Sequence, residues 1–313
     1  MGWQKLDFDA DGSEELLVDS DLFSVYLSPG EGGSIFEWDL RRHNYNVLST
    51  LARRLEAYHK VLTEPSSEEQ IGERSVISSI HDLIRVKGEV SLGNLIYDKY
   101  LRYSLIDHFF VTGTKLEEFA NQSYVELGDF VAQPYDFSVE QQGGKLTILL
   151  RRRGVLQVRS KNLPFEVQKE IKLVAGEEKV DIRYQLKNVS DSSVQAVFGS
   201  EWNINLLGGG HNEQAYYRVP GIALDDHHLD SWGELTDVES LVMGNRQLGI
   251  ELELTARPKI RLWRFPVESI SNSEGGIERT YQQSCLLALL SLDLLPGGVD
   301  DFNLVWLVKS PII

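Results

Sequence analysis

The residues Asp7-Phe8-Asp9-Ala10-Asp11-Gly12-Ser13-Glu14-Glu15 place carboxylates at alternate positions, a glycine after the third, and further acids at the end of the run. Oxygen donors gathered around a tight glycine turn are what a hard cation such as Ca2+ requires. The spacing predicts Asp7, Asp9, Asp11 and Glu15 as its ligands, with the Ser13 carbonyl as a further donor. The run is not an EF-hand, because Val18 stands at the twelfth position, where a bidentate Glu belongs, and a strand pattern follows instead of a helix. An acidic surface turn that holds no ion is the competing reading.

Two other segments set an imidazole beside a carboxylate. Ser79-Ile80-His81-Asp82 and Asp107-His108 can each move a proton or orient a hydroxyl. Neighbouring strand residues face opposite ways, so neither pair need touch internally, and structural hydrogen bonding weighs against chemistry at both. Glu201-Trp202-Asn203-Ile204-Asn205 follows an apolar strand and puts Glu201 and Asn203 on one face. A carboxylate and amides beside an aromatic hold carbohydrates, although such residues also serve as cross-strand pairs. Flat rings suit the apolar faces of pyranose sugars. Most tryptophans are expected in the core, Trp306 above all, but Trp232 in Asp230-Ser231-Trp232-Gly233 sits in a loop and is the predicted sugar platform. The candidate substrate contacts are therefore His81, Asp107, His108, Glu201, Asn203 and Trp232. His227 and His228 lie among Asp225, Asp226 and Asp230 without regular ligand spacing, and a solvated loop is expected there rather than a metal. No glycine-rich phosphate loop, nucleophile-elbow serine or dinucleotide fingerprint is found, so phosphoryl transfer, serine hydrolysis and nicotinamide chemistry are not supported.

The elements that must position these residues are strands. In Lys179-Val180-Asp181-Ile182-Arg183-Tyr184-Gln185-Leu186 every second residue is apolar, the period of a strand with one wet face. Similar runs recur along the chain, separated by turn signals such as Gly32-Gly33, Gly143-Gly144, Gly208-Gly209-Gly210 and Pro296-Gly297-Gly298. Many strands at short spacing predict one large, twisted antiparallel β-sandwich over 1–313. Leu48, Leu51, Leu55 and Tyr58 recur at helical spacing and predict one helix over about 45–61. A shorter helix is expected over Ser78–Ile84, and 63–74 reads as an exposed loop.

The formal charge is −16 and charged residues make up 25% of the chain, which fits a globular protein that repels phosphate backbones and anionic lipid. Nucleic acid and membrane are thus excluded as expected partners. The lone Cys285 cannot form an intrachain disulfide, and a cytoplasmic location is expected. Whether a second copy of the chain is a partner is left open.

Several of these segments, in chain order, resemble the C-terminal domain of glycoside hydrolase family 57 enzymes, the α-amylase and 4-α-glucanotransferase group. They are Asp7–Glu15, Gly32-Gly33-Ser34-Ile35-Phe36-Glu37, Ala52-Arg53-Arg54-Leu55-Glu56-Ala57-Tyr58-His59, Ser79-Ile80-His81-Asp82, Leu105-Ile106-Asp107-His108-Phe109, Tyr124-Val125-Glu126-Leu127-Gly128-Asp129-Phe130, Glu201–Asn205 and Trp263-Arg264-Phe265-Pro266-Val267. The resemblance implies a twisted sandwich of the type shared with galactose mutarotases. It also implies a catalytic barrel elsewhere in the polypeptide, carrying a glutamate nucleophile and an aspartate acid, which retaining chemistry sets roughly 5 Å apart. No alternating strand and helix pattern of a barrel occurs here, so no catalytic residue is assigned. The expected role is a non-catalytic domain that packs on the barrel and helps shape a site for α-glucan or maltooligosaccharide. The alternatives are a stand-alone mutarotase-like epimerase, with Glu201 as base and His81 or His108 as acid, and a plain carbohydrate-binding module.

Overall fold

Alternation of apolar and polar residues becomes sixteen strands in two antiparallel sheets among the residues described by the computed structural model, 1–60, 95–273 and 276–309. His81, the helix expected over Ser78–Ile84 and the loop 63–74 lie outside them. The small sheet runs β1 (Gly2–Leu6), β2 (Glu15–Asp19), β3 (Phe23–Ser28), β4 (Ser34–Leu40) and β5 (Tyr45–Asn46) in sequence order. The large sheet holds β6 (Ile106–Phe110), β7 (Asp136–Gln142), β8 (Lys145–Val158), β9 (Lys161–Val174), β10 (Lys179–Asn188), β11 (Val194–Ile204), β12 (Ala215–Arg218), β13 (Gly233–Asn245), β14 (Ile250–Ser273), β15 (Gly276–Leu294) and β16 (Val299–Lys309). Its main path is β6-β11-β15-β14-β16-β10-β9-β8-β7, with β13 joining β12 to β14.

The predicted sandwich is what the structure has. In β10 the inward residues Val180, Ile182, Tyr184 and Leu186 are buried, as their period requires. They join Trp38, Phe198, Trp202 and Trp306 in the core between the sheets. The centre of the large sheet is covered on its other face as well. There Val197, Trp263, Phe265, Cys285 and Leu287 pack under Leu116, Phe119 and Ala120 of the short helix α1 (Leu116–Ala120). That is why β11 is buried at nearly every position instead of alternating. No helix among the described residues is long and apolar enough to cross a membrane.

The helix expected over about 45–61 does not form in the described part of that segment. The chain makes β5, runs on without helix and closes in a 3-10 turn at Ala57–His59. Leu51 and Leu55 are 50% and 67% exposed, so the apolar stripe has no surface to cover. The backbone is held by other partners instead. The Val47 amide donates to the Trp38 carbonyl at 3.0 Å. Gln283 accepts from the Leu51 amide at 3.1 Å and donates to its carbonyl at 3.0 Å. The Asp98 carboxylate accepts from the Arg53 amide at 2.7 Å.

Candidate functional site

Strand β6 pairs with β11 so that His108 lies opposite Gly199 and Asp107 opposite Ser200. Because successive strand residues face opposite ways, Asp107 and His108 enter two separate polar clusters, one on each face of the sheet. Both residues are fully buried, as are Glu201 and Asn203.

On the outer face, beneath α1 and the segment 97–103, Glu201 is the centre. Its Oε1 accepts from Arg102 Nη1 at 2.7 Å and Asn203 Nδ2 at 2.6 Å, and its Oε2 accepts from the Tyr100 hydroxyl at 2.6 Å and lies 2.8 Å from His108 Nε2. His108 Nδ1 lies 2.8 Å from Glu126 Oε2, so the ring stands between two carboxylates. Asp98 accepts from both Arg102 and Arg53 at 2.7 Å, which extends the chain of alternating charge. Burial alone would lower the His108 pKa, but its hydrogen bonds to Glu126 and Glu201 outweigh it and raise the value to about 9. Both ring nitrogens therefore carry protons at neutral pH and both donate. Burial pushes the Glu201 pKa up, yet Arg102 and His108 hold it well below the usual carboxylate range.

A carboxylate offers about four lone-pair directions, and here each oxygen takes two short hydrogen bonds. Glu201 has none left with which to remove a proton from a sugar hydroxyl, and its side chain is fully buried. The sequence period put Glu201 and Asn203 on one face, and the structure adds His108 to them. It missed Asp98, Tyr100 and Arg102, whose Asp98-Lys99-Tyr100-Leu101-Arg102 spacing carries no local signal without knowing what lies across the sheet.

On the inner face, Asp107 accepts from the hydroxyls of Tyr135 at 2.5 Å and Tyr184 at 2.9 Å and pairs with Lys169 at 2.9 Å. Lys169 is wholly buried, and its ammonium also donates to the carbonyls of Gly32 and Leu105 at 2.8 Å. Gly32 and Gly33 both have positive φ, a conformation that turns this corner of the small sheet toward the lysine. Burial lowers the Lys169 pKa, and Asp107 opposes that shift.

The accessible polar surface lies elsewhere. Trp232 is 45% exposed, with its ring 5.5 Å from that of Phe265. It borders a small hollow of about 120 Å3 with Asn121, Arg53 and the Glu268–Arg279 ion pair. Arg53 and Ile270 also line a wider cleft of about 560 Å3 beside Tyr58, His59, Tyr97 and Tyr103. Tyr97 and the Glu56 amide approach His59 Nδ1 at 3.2 Å, and the other ring nitrogen lies 3.1 Å from the Ile270 carbonyl, so this aromatic wall is fixed. Exposed aromatics with amide, guanidinium and carboxylate groups at their edges can stack on and hydrogen-bond a sugar.

In the acidic N-terminal loop, ligand oxygens of Asp7, Asp9 and Glu15 lie within 4.8 Å of one another. Asp11 turns away from that triad and caps the Ser13 amide at 2.6 Å. Glu15 is anchored by the Phe8 amide at 2.9 Å. Burial raises its pKa, and Asp9, Asp11 and Asp7 add to the rise against that one hydrogen bond. Burial also raises the Glu31 pKa, with Asp11 and Asp9 adding to it, which brings a further acid, unforeseen in the sequence, toward the loop.

Residues 7–295 match the family described as alpha-amylase/4-alpha-glucanotransferase, C-terminal. The chain belongs to that family. Alpha-amylase 1 of Dictyoglomus thermophilum is 35% identical over 305 residues, which are 97% of this chain and 41% of the relative. The solved 4-alpha-glucanotransferase from Thermococcus litoralis has a TM-score of 0.75 at 24% identity, covering 98% of this chain and 41% of that one. A galactose mutarotase-like protein from Clostridium acetobutylicum covers 99% of both chains with a TM-score of 0.59 at 9% identity, a likeness of fold alone. The chain thus spans well under half the length of its curated family relative.

Proposed function

We propose that this chain is the non-catalytic sandwich of a glycoside hydrolase family 57 enzyme acting on α-glucan in the cytoplasm. On this reading it packs on a catalytic barrel carried by the same polypeptide, and Trp232 with the hollow it borders forms one wall of the glucan path. The observation that supports it most is the contrast between Glu201, saturated and buried, and the exposed Trp232, whose hollow shares Arg53 and Ile270 with the aromatic cleft. The mutarotase-like alternative shares the fold, but its expected base has no free lone pair. In the same reading the Asp7–Glu15 loop takes Ca2+ through Asp7, Asp9 and Glu15, a set of hard oxygen donors whose mutual repulsion a divalent cation would relieve. The ion would brace the loop structurally, and Asp11 would shape the turn.

The purified chain is expected to release no sugar from maltoheptaose and to transfer none. Titration with maltoheptaose should quench tryptophan fluorescence saturably, and Trp232→Ala should weaken the binding about tenfold, the loss of roughly 1.4 kcal/mol of stacking and apolar contact. Turnover by the chain alone would overturn the non-catalytic role. Binding unchanged by Trp232→Ala would remove Trp232 and its hollow from the glucan path.

A further inference from the structure

The loop preceding β12 and the loop following it bring three histidine rings into one stack. His228 lies between His211, at 4.7 Å with the planes 2° apart, and His227, at 4.5 Å. The stack is tied to a strand and does not float in solvent: His227 accepts from the Tyr217 amide at 2.6 Å, His228 bridges to Tyr216, and the neighbouring Leu229 is fully buried.

The two nitrogens of His228 have different surroundings. Nδ1 lies 2.8 Å from Asp226 Oδ1, the same oxygen that accepts from the His228 amide at 3.0 Å. A carboxylate only accepts, so Nδ1 carries a proton, and in the neutral ring Nε2 keeps the lone pair. That nitrogen is shut off from solvent and has no hydrogen-bond partner. Glu213 Oε1 stands 3.3 Å from it, and Oε2 of the same residue lies 4.0 Å from His227 Nε2. Glu213, His227 and His228 each offer a ligand atom within 4.8 Å of the other two. An imidazole whose far N–H is held by a carboxylate, with its other nitrogen close to a second imidazole nitrogen and a second carboxylate, is an arrangement that metal-binding histidines adopt. Nitrogen donors favour zinc, nickel or copper over calcium or magnesium, and three protein ligands leave room for water on the ion.

We propose that Glu213, His227 and His228 form a binding site for a divalent transition-metal cation, with Asp226 as the positioning residue that fixes the His228 ring. His211 serves as a shelf: its Nδ1 is 2.9 Å from Asp230, and its ring supports that of His228. The site does not depend on the glucan reading. Sequence spacing concealed it because Glu213 and His211 come from the other loop, and strand β12 alone brings the two loops together.

Equilibrium dialysis of the metal-stripped chain against Zn2+ at pH 7.5 tests the proposal, with Co2+ absorption in the visible as a second readout of bound geometry. One saturable equivalent is expected. His227→Ala and Glu213→Gln, both at side chains at least half exposed and so without cost to folding, should each weaken it tenfold or more. Asp226→Asn should weaken it by roughly 10- to 100-fold while keeping all three ligands. Glu140→Gln, at an exposed position of β7, should leave it unchanged. The proposal is overturned if no saturable equivalent binds, or if the equivalent survives His227→Ala and Glu213→Gln with unaltered affinity.

Discussion

Lys169 and Asp107 lie on the inner face of the large sheet with their side chains fully buried, whereas Asp7, Asp9 and Asp11 lie on an exposed loop at the edge of the small one. In the first region each charge meets its opposite inside the chain, and both tyrosine hydroxyls complete the shell of Asp107. In the second the acids face one another and Glu31, and Lys5, on the neighbouring β1, pairs with Glu14 outside the triad. The Glu201 cluster repeats the first pattern with more members, since Arg53, Arg102 and His108 alternate with Asp98, Glu201 and Glu126. Charges closed on themselves hold a fold together. Charges left facing their own kind need something from outside.

The contrast breaks most visibly at Lys169, the one cation of its cluster. Lys169→Met removes it and leaves the Asp107 carboxylate buried against two hydroxyls, a loss expected to cost about 3–5 kcal/mol. Chemical denaturation should read this as a fall in the midpoint with little change in slope. Combining Lys169→Met with Asp107→Asn should recover a large share, because an uncharged amide no longer needs a counter-charge. If the single substitution costs less than about 1 kcal/mol, the pair is not what ties the two sheets at this corner.

The outer cluster should show itself through pH. His108 titrates at about 9 in the folded chain, above its ordinary value of 6.5. A group with a raised pKa contributes stability that is fully present below its unfolded pKa, so the contribution should hold up to about pH 6.5 and be lost as pH rises through 9. The loss amounts to about 3 kcal/mol at most. Glu201 works in the other direction: its lowered pKa contributes above the ordinary carboxylate value of 4.5, and that share is lost only in acid. Stability curves at a series of pH values should therefore decline on the alkaline side, and Glu126→Gln should flatten that decline by removing one of the two negative charges that hold the His108 proton. An unchanged alkaline slope in Glu126→Gln would show that His108 is not held by this pair.

Much of this was legible in the strands themselves. Phe165, Val167, Lys169, Ile171 and Leu173 share one phase of β9, so a lysine in the buried phase of the strand was there to be read as a buried charge, and it was passed over. Glu201 and Asn203 were placed on one face by the same period, and the face proved to be closed. The helix expected near Leu48 failed for a different reason. Periodicity records which side chains share a stripe, not whether any surface awaits them, and the hydrogen bonds of Gln283 and Asp98 come from residues remote in sequence. Arg102, Asp98 and His211 were hidden by the same distance, since a salt bridge across a sheet leaves no trace in local spacing.

The uncompensated loop gives the smallest of the expected effects. Burial raises the Glu15 pKa and its like-charged neighbours add to the rise, so at neutral pH the folded loop carries a repulsion that the unfolded chain does not. Ca2+ held by Asp7, Asp9 and Glu15 would reverse the sign of that term, binding the folded chain and not the unfolded one. If the site binds at about 1 mM, as extracellular-type calcium modules do, 10 mM Ca2+ adds about 1.4 kcal/mol by mass action. Calorimetry in Ca2+ against EDTA should show a rise in melting temperature that Asp9→Asn abolishes and that Mg2+, which demands a tighter octahedral cage, reproduces only weakly. Asp9→Asn alone, in EDTA, should be neutral or slightly stabilising, because it removes one of the charges that press on Glu15. A variant destabilised in EDTA would mean that the Asp9 carboxylate, which accepts from the Asp11 amide at 3.3 Å, holds the loop more than it presses on Glu15, and the contrast between the closed clusters and the open loop would fail at that residue.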